Sequence, residues 1–295
     1  HHNHQPLGIL LYQGEDIHEN YLTSLDKWIL NKMNLLIKDV DNKYDIFEFG
    51  EVARAIYNFT WDDFASNYLE MTKVNFANSD SQLKINTCSV LTKVLTTILK
   101  LLHPFMPFVT EEIYQNFYNE SIMVSKWPQP FDLKLDKGLI ENTDKMFEII
   151  TAVRTIRNEK NVPMSKPIKI SLETSNEDLR TYLLAHREYL KKFINYEELS
   201  IAKNIDKLDA IVKVLDDLNI VILLKELINI DEEIVKLKSK QDKLKKEVAR
   251  SEGMLNNQNF LQKAPNSKII EEKNKLSSYL EQLKEVNELL LELDK

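Results

Sequence analysis

The sequence predicts a mainly α fold: a helical bundle, then a small α+β module, then a C-terminal antiparallel coiled-coil hairpin. Three observations carry that reading. Apolar residues recur at three- and four-residue steps through residues 21–160, the pattern changes to short alternations in 161–226, and two unbroken heptad seams fill 227–295. Breakers are scarce: 5 glycines and 8 prolines in 295 residues favour long helices over an all-β or loop-rich chain.

In the first helix Leu25, Ile29, Leu30, Met33, Leu36 and Ile37 make one stripe, with Ser24 or Asp26 as its expected cap. The second carries Phe49, Val52, Ile56 and Phe59, then Phe64, Tyr68 and Met71 on a slightly rotated stripe, a broad band suited to a central bundle helix. Leu83 to Leu102 form a third that ends at His103-Pro104. Pro104 or Pro107 opens a fourth, because proline in a first turn loses no hydrogen bond. An extended strap from Val124 to Pro130 follows, with Trp127-Pro128 as a packing clamp, and then a helix through Leu139, Thr143, Met146, Ile150 and Val153.

Ile168, Ile170 and Leu172, then Leu199 and Ile201, Ile211 to Leu215, and Leu218 to Leu224 read as strands, with one or two helices in 176–194. In the last part Leu227, Ile230, Ile234, Leu237, Gln241, Leu244, Val248, Ser251 and Leu255 step without a slip. The run from Ile269 to Leu293 does the same, with a turn expected at Asn256 to Asn266. About 28 residues per arm at 1.5 Å each reach on the order of 40 Å. An arm of that shape buries only a thin seam, so reach or surface contact is its expected purpose.

Composition narrows the function classes. One cysteine, Cys88, excludes an internal disulfide and reads as a reduced, buried, inert thiol of a cytoplasmic protein. No apolar run approaches the ~18 residues of a membrane span, so no membrane partner is expected. His1-His2-Asn3-His4 reads as a purification-tag remnant, and 1–20 as tag and linker. A net charge of -7 argues against nucleic acid as a sum, but seven lysines and arginines crowd Lys236–Arg250 against Asp242 and Glu247.

From about Ser24 onward the chain resembles valyl-tRNA synthetases. The resemblance rests on Leu25-Asp26-Lys27-Trp28-Ile29-Leu30, on Asn58-Phe59-Thr60-Trp61-Asp62-Asp63-Phe64 with Tyr68-Leu69-Glu70, and on His103-Pro104-Phe105-Met106-Pro107-Phe108-Val109-Thr110-Glu111-Glu112. Trp127-Pro128, Val153-Arg154-Thr155-Ile156-Arg157 and the tip Phe260-Leu261-Gln262-Lys263-Ala264-Pro265 extend it. The His-Pro run is shared with the isoleucine and leucine enzymes, whereas the heptad hairpin with its tip points to valine. The isoleucine enzyme usually ends in a cysteine-ligated zinc module, which one cysteine cannot build.

The resemblance implies a bundle of the class I synthetase anticodon-binding type whose first family helix is missing or replaced by residues 1–20. It also implies the tRNA-binding part of a full-length, monomeric enzyme that attaches valine to tRNA(Val) using ATP and Mg. The signatures His-Ile-Gly-His and Lys-Met-Ser-Lys-Ser are absent, and Pro163-Met164-Ser165-Lys166-Pro167 is a superficial echo of the second in the wrong module. This chain is therefore expected to hold no cofactor, no metal and no catalytic residue. The alternatives are the corresponding region of an isoleucine- or leucine-type enzyme, or a non-enzymatic coiled-coil interaction protein.

Two candidate sites follow. Arg250 lies ten residues before Phe260 and Lys275 ten after Pro265, so a hairpin sets both at one height, where two cations can grip a phosphate. The resemblance places the matching positions at the tRNA elbow, with Lys243, Lys246 and Lys263 as further phosphate contacts; the alternative is a solvated lysine-rich face. The second site is Leu69, Glu70 and Lys73, where a carboxylate and an apolar platform suit unstacked anticodon bases. Its alternative is core packing for Leu69 and a surface ion pair. Trp61 is expected in the core, Asp62 and Asp63 are not expected to act as an acid and base, and Arg54 is expected to pair with an internal carboxylate. His103 is expected to be a hydrogen-bonded structural residue. Arg154, Arg157, Lys160, Lys166 and Lys169 form a basic cluster suited to flank a tRNA stem.

Overall fold

The computed structural model describes residues 17, 19–78, 80–227 and 230–293, so the tag-and-linker reading of 1–20 falls almost wholly outside the described residues. Five stretches build the bundle. Helix α1 (Ser24–Asp45) is its centre and packs against the second, fourth and sixth helices. Its cap is Thr23 rather than Ser24 or Asp26. The Thr23 hydroxyl accepts from the Asp26 amide at 3.1 Å while the Asp26 carboxylate accepts from the Thr23 amide at 2.9 Å, a reciprocal capping box.

Helix α2 (Phe49–Asn58) runs into a π-helical segment (Phe59–Leu69) and then α3 (Glu70–Ala77). Each π turn takes about one residue more than an α turn, so Phe59 and Phe64, five apart, are both buried. The rotated stripe in the sequence is this change of pitch. Trp61, on the side away from the Val52–Ile56–Phe59 stripe, is 61% exposed, against the expectation that a bundle tryptophan is core.

Helix α4 (Ser81–Leu102), capped by Asp80, is long and apolar enough by composition to cross a membrane. Half of that apolar window is nonetheless buried, with Val90, Val94, Ile98 and Leu101 in the bundle core. Cys88 on this helix is half-buried rather than buried, and burial pushes its thiol pKa up. Pro107 opens α5 (Pro107–Tyr114), and the strap after it holds Trp127 against Tyr44 and on Asp41, its indole N–H donating at 2.8 Å. Helix α6 (Lys137–Glu159) returns along α1, where Trp28 meets Phe147 at 4.9 Å and donates to Asp144 at 2.9 Å.

The module follows as β1 (Ile168–Glu173), α7 (Glu177–Ala185), α8 (Arg187–Ile194), β2 (Tyr196–Ala202), β3 (Ala210–Leu215) and β4 (Leu218–Leu223), in the sheet order β2-β1-β4-β3. β1 and β2 are parallel across the two helices, Ile170 facing Leu199, while β3 and β4 form a hairpin with Val212 facing Val221. Ile168, Ile170, Leu172, Ile220 and Ile222 belong to the same buried cluster as the bundle, so the module and bundle share one core.

After a short α9 (Leu224–Leu227), helices α10 (Ile230–Asn256) and α12 (Asn266–Leu293) form the antiparallel hairpin. The expected turn contains a helix of its own, α11 (Gln258–Lys263). Leu237, Leu244 and Val286, with Tyr279, Leu283 and Leu290 around them, make a cluster separate from the body's. Two polar layers interrupt the seam: Gln241 donates to Asn287 at 2.6 Å, and the Ser251 hydroxyl to Glu272 at 2.6 Å. Polar layers in such a seam, the second of them buried, lower stability and fix register.

Candidate nucleic-acid interface

On the arm, Lys236, Lys240, Lys243, Lys246 and Arg250 step by four, three, three and four residues along α10, which makes one continuous cationic stripe. Residues 236–275 hold eleven lysines and arginines against five carboxylates, a net +6 in a chain whose total is -7. Long helices with a thin seam leave these side chains outside. Lys243, Lys246 and Lys263 are exposed and have no carboxylate partner among the described residues.

Arg250 and Lys275 do sit at one height, on either side of Glu272. The guanidinium of Arg250 lies 3.6 Å from the Glu272 carboxylate, which is itself nearly buried and bonded by Ser251. Each cation also has a partner on its own helix: Arg250 donates to Glu247 at 2.9 Å and Lys275 to Glu271 at 2.6 Å. Glu247 first, and Glu272 after it, raise the pKa of Arg250; Glu271 first raises that of Lys275. Both stay charged. Exposed ion pairs of this kind contribute at most about 1 kcal/mol, so a phosphate can displace the carboxylates without unfolding the arm. The geometry shows two half-exposed cations bracketing a carboxylate rather than two free ones.

In the bundle, Leu69 is the last residue of the π segment and lies exposed. Lys73 donates to both Glu70 oxygens, at 2.7 and 2.8 Å, on the outer face of α3. Leu69 is thus not core, and the Glu70–Lys73 pair is the surface ion pair weighed for it. Tyr57 and Trp61, on the same continuous helix, are exposed rings that sequence patterning alone does not assign to the site. A signal for them exists all the same: both fall off the Val52–Ile56–Phe59 stripe. Apolar side chains, rings, a carboxylate and a cation on one solvent-facing helix are the groups that unstacked bases take up. Asp63 faces Lys32 at 3.3 Å, and Lys32 also bridges to Asp144 at 3.3 Å, so this carboxylate serves the packing of α1, the π segment and α6. Arg54 pairs with Glu51 at 2.8 Å, a surface carboxylate rather than an internal one. His103 is held by Thr110 at 2.8 Å, as a structural residue would be.

The basic cluster at the bundle-to-sheet junction loses its central member to the interior, while Arg154, Lys160 and Lys169 stay exposed and Lys166 is half-buried. Arg157 is 0% exposed, and its two terminal nitrogens donate to the carbonyls of Pro163, Lys166, Ile194 and Asn195 at 2.9 to 3.0 Å. Burial pushes its pKa down. Arg154 donates to the Phe193 carbonyl and lies over that ring, and Lys169 pairs with Glu198. The Pro163–Pro167 echo is part of the same buckle: its Met164 and Ser165 carbonyls accept from the Asn195 side chain, and Asn195 adopts the left-handed conformation that ends α8. Among the described residues no group of three or more His, Cys, Asp and Glu is placed to hold a metal ion.

Comparison with known proteins covers both interfaces. Residues 26–172 match the family described as the anticodon-binding domain of tRNA ligase, and residues 229–294 match the valyl tRNA synthetase tRNA binding arm. The valine-tRNA ligase of Bacillus subtilis is 41% identical over 91% of this chain and 31% of its own length. That of Geobacillus kaustophilus is 40% identical over 97% of this chain and 33% of its own length. The chain spans about a third of the length of these curated relatives. With the anticodon-binding bundle and the arm both matched on the helices just described, this chain belongs to the valyl-tRNA synthetase family and corresponds to the C-terminal, tRNA-binding part of its members.

Proposed function

We propose that this chain docks tRNA(Val) for a valine-tRNA ligase, with the bundle taking the anticodon region and the arm taking the elbow. The attachment of valine, with ATP and Mg, belongs in this reading to the part of the longer protein outside this third. The chain itself supplies no cofactor site and no catalytic residue, and the whole enzyme works as a cytoplasmic monomer.

The observation that carries this reading is the charge on the arm. A stripe from Lys236 to Arg250, some 21 Å long at 1.5 Å per residue, spans several phosphates, and Lys275 adds a cation on the facing helix. Arg250 and Lys275 are the principal elbow contacts, with Lys243, Lys246 and Lys263 supporting them. Leu69, Glu70 and Lys73 are the anticodon contacts. The bundle's exposed rings and carboxylate suit bases, whereas the arm's lysines suit backbone; sequence choice then lies in the body and salt-dependent affinity in the arm.

Footprinting of tRNA(Val) with this chain tests the reading. Protection is expected at both the elbow and the anticodon loop, with elbow protection alone abolished by Arg250→Glu/Lys275→Glu. Equal protection of isoleucine or leucine tRNA would assign the chain to a neighbouring specificity. A change in oligomeric state in place of a change in protection would make the hairpin a protein-contact device.

A further inference from the structure

A second surface of the body is apolar rather than basic. Tyr44, at the end of α1, is the hub of a set of rings drawn from separate segments: Phe49 at 5.8 Å, Trp127 at 5.7 Å and Phe105 at 6.4 Å, with Phe47 6.2 Å beyond Phe49. These rings are not hidden. Phe47 is 77% exposed, and on the elements alongside, Phe108 at the start of α5 is 90% exposed and Met123, in the 3-10 turn Ile122–Val124 that leads into the strap, 78%. That turn is tied to α5 by Glu111, which accepts from the Ser121 hydroxyl and the Ile122 amide at 3.0 Å. Phe47, at φ 61°, is the left-handed residue that ends α1: its amide donates to the Tyr44 carbonyl at 3.1 Å and the Glu48 amide to the Lys43 carbonyl at 2.9 Å, which fixes the ring beside Phe49. The Tyr44 hydroxyl is buried with no hydrogen-bond partner among the described residues.

Charge disfavours RNA as the partner. Segments 41–51 and 103–127, which carry these side chains, contain seven carboxylates against Lys43 and Lys126 alone. A polyanion would be repelled here. Contiguous exposed apolar surface with a polar rim is the signature of a protein interface. Since this chain corresponds to about a third of its relatives' length, a large protein mass in the same polypeptide is available to cover it.

We infer that the Tyr44-centred aromatic surface, from Phe47 to Phe108 and Met123, is the docking face for the part of the same polypeptide that precedes this third in the longer protein. The surface joins that part to the end of the bundle where α1 and α4 finish. The inference rests on family membership and not on the tRNA-docking proposal, so either can fail without the other.

Hydroxyl-radical footprinting read by mass spectrometry tests it, comparing the full-length protein with the 295-residue chain, each with and without tRNA. Oxidation of Phe47, Phe108 and Met123 is expected to be several-fold slower in the full-length protein before tRNA is added, and unchanged by tRNA in the 295-residue chain. Phe108→Asp in the full-length protein is expected to restore Met123 oxidation to the rate in the 295-residue chain, without shifting the melting of that chain. Equal rates in the two proteins would overturn the inference. So would protection that appears only with tRNA, which would make this an RNA surface, or protection that rises with concentration in the 295-residue chain, which would make a second copy the occupant.

Discussion

Arg157 and Arg250 are the same residue type in opposite settings. At the junction of bundle and sheet, Arg157 is fully enclosed and spends its donors on four backbone carbonyls from two loops. On the arm, Arg250 is half exposed, bonded by the solvent-reached Glu247 and flanked by the nearly buried Glu272. The body thus uses a cation as an internal buckle, irreplaceable and invisible to a ligand. The arm offers its cations outward in pairs weak enough to exchange. The difference follows from packing: a continuous core can enclose an arginine, and a two-helix seam cannot.

The sharpest way to break the comparison is at the buckle. Arg157→Met leaves four carbonyls, that of Ile194 buried and the others partly so, without their donor and is expected to lower stability in urea by about 3 kcal/mol, because each unsatisfied buried group costs roughly 1–3 kcal/mol. Arg250→Met should leave the same unfolding curve nearly unmoved. A next test asks whether the arm is a separate unit: Leu244→Ala removes a third of its small buried set and should cost about 2 kcal/mol of local stability. Hydrogen exchange should speed in α10 and α12 and stay unchanged in α1 and α6; equal acceleration in both would merge the two regions.

Within the body, Tyr68 donates to the buried Asp26 at 2.5 Å, and burial raises the pKa of that carboxylate although Tyr68 and Thr23 oppose the rise. Tyr68→Phe is expected to cost about 1–2 kcal/mol by thermal melting. A smaller effect is expected in the module. Lys207 first, then Asn219 and the Ile205 amide, hold Glu173 down to a pKa of about 2. A depressed carboxylate contributes stability that is fully present above its unfolded value of about 4.3 and is lost as pH falls toward 2. Glu173→Gln should flatten the stability profile between those limits, and an unchanged acid limb would show that Glu173 has no such role.

Much of this contrast is legible in the chain. Heptads specify the hairpin directly, since side-chain period and helix geometry are the same fact, and the alternating runs mark all four strands. The π segment is legible only as a rotated stripe, because period alone does not say where a turn gains a residue; the expectation of a buried Trp61 fails because it follows residue type, whereas Trp61 lies off the Val52–Ile56–Phe59 stripe. Arg157 carries a signal in its position alone: it extends the stripe of Thr143, Met146, Ile150 and Val153 by one four-residue step, but its partners are carbonyls, which no residue type advertises, so its charge makes it read like a surface residue. The Tyr44 surface is equally silent, being assembled from segments more than fifty residues apart in sequence.

The most direct test of the division of labour is the salt dependence of tRNA binding. Each cation withdrawn from a phosphate should lower the slope of log affinity against log salt by about one. Arg250→Glu/Lys275→Glu is expected to lower that slope by about two and leave the protein folded, while Glu70→Gln/Lys73→Gln weakens binding with a smaller change in slope. An unchanged slope in the arm variant, with tRNA bound as before, would contradict the assignment of salt-dependent affinity to the arm.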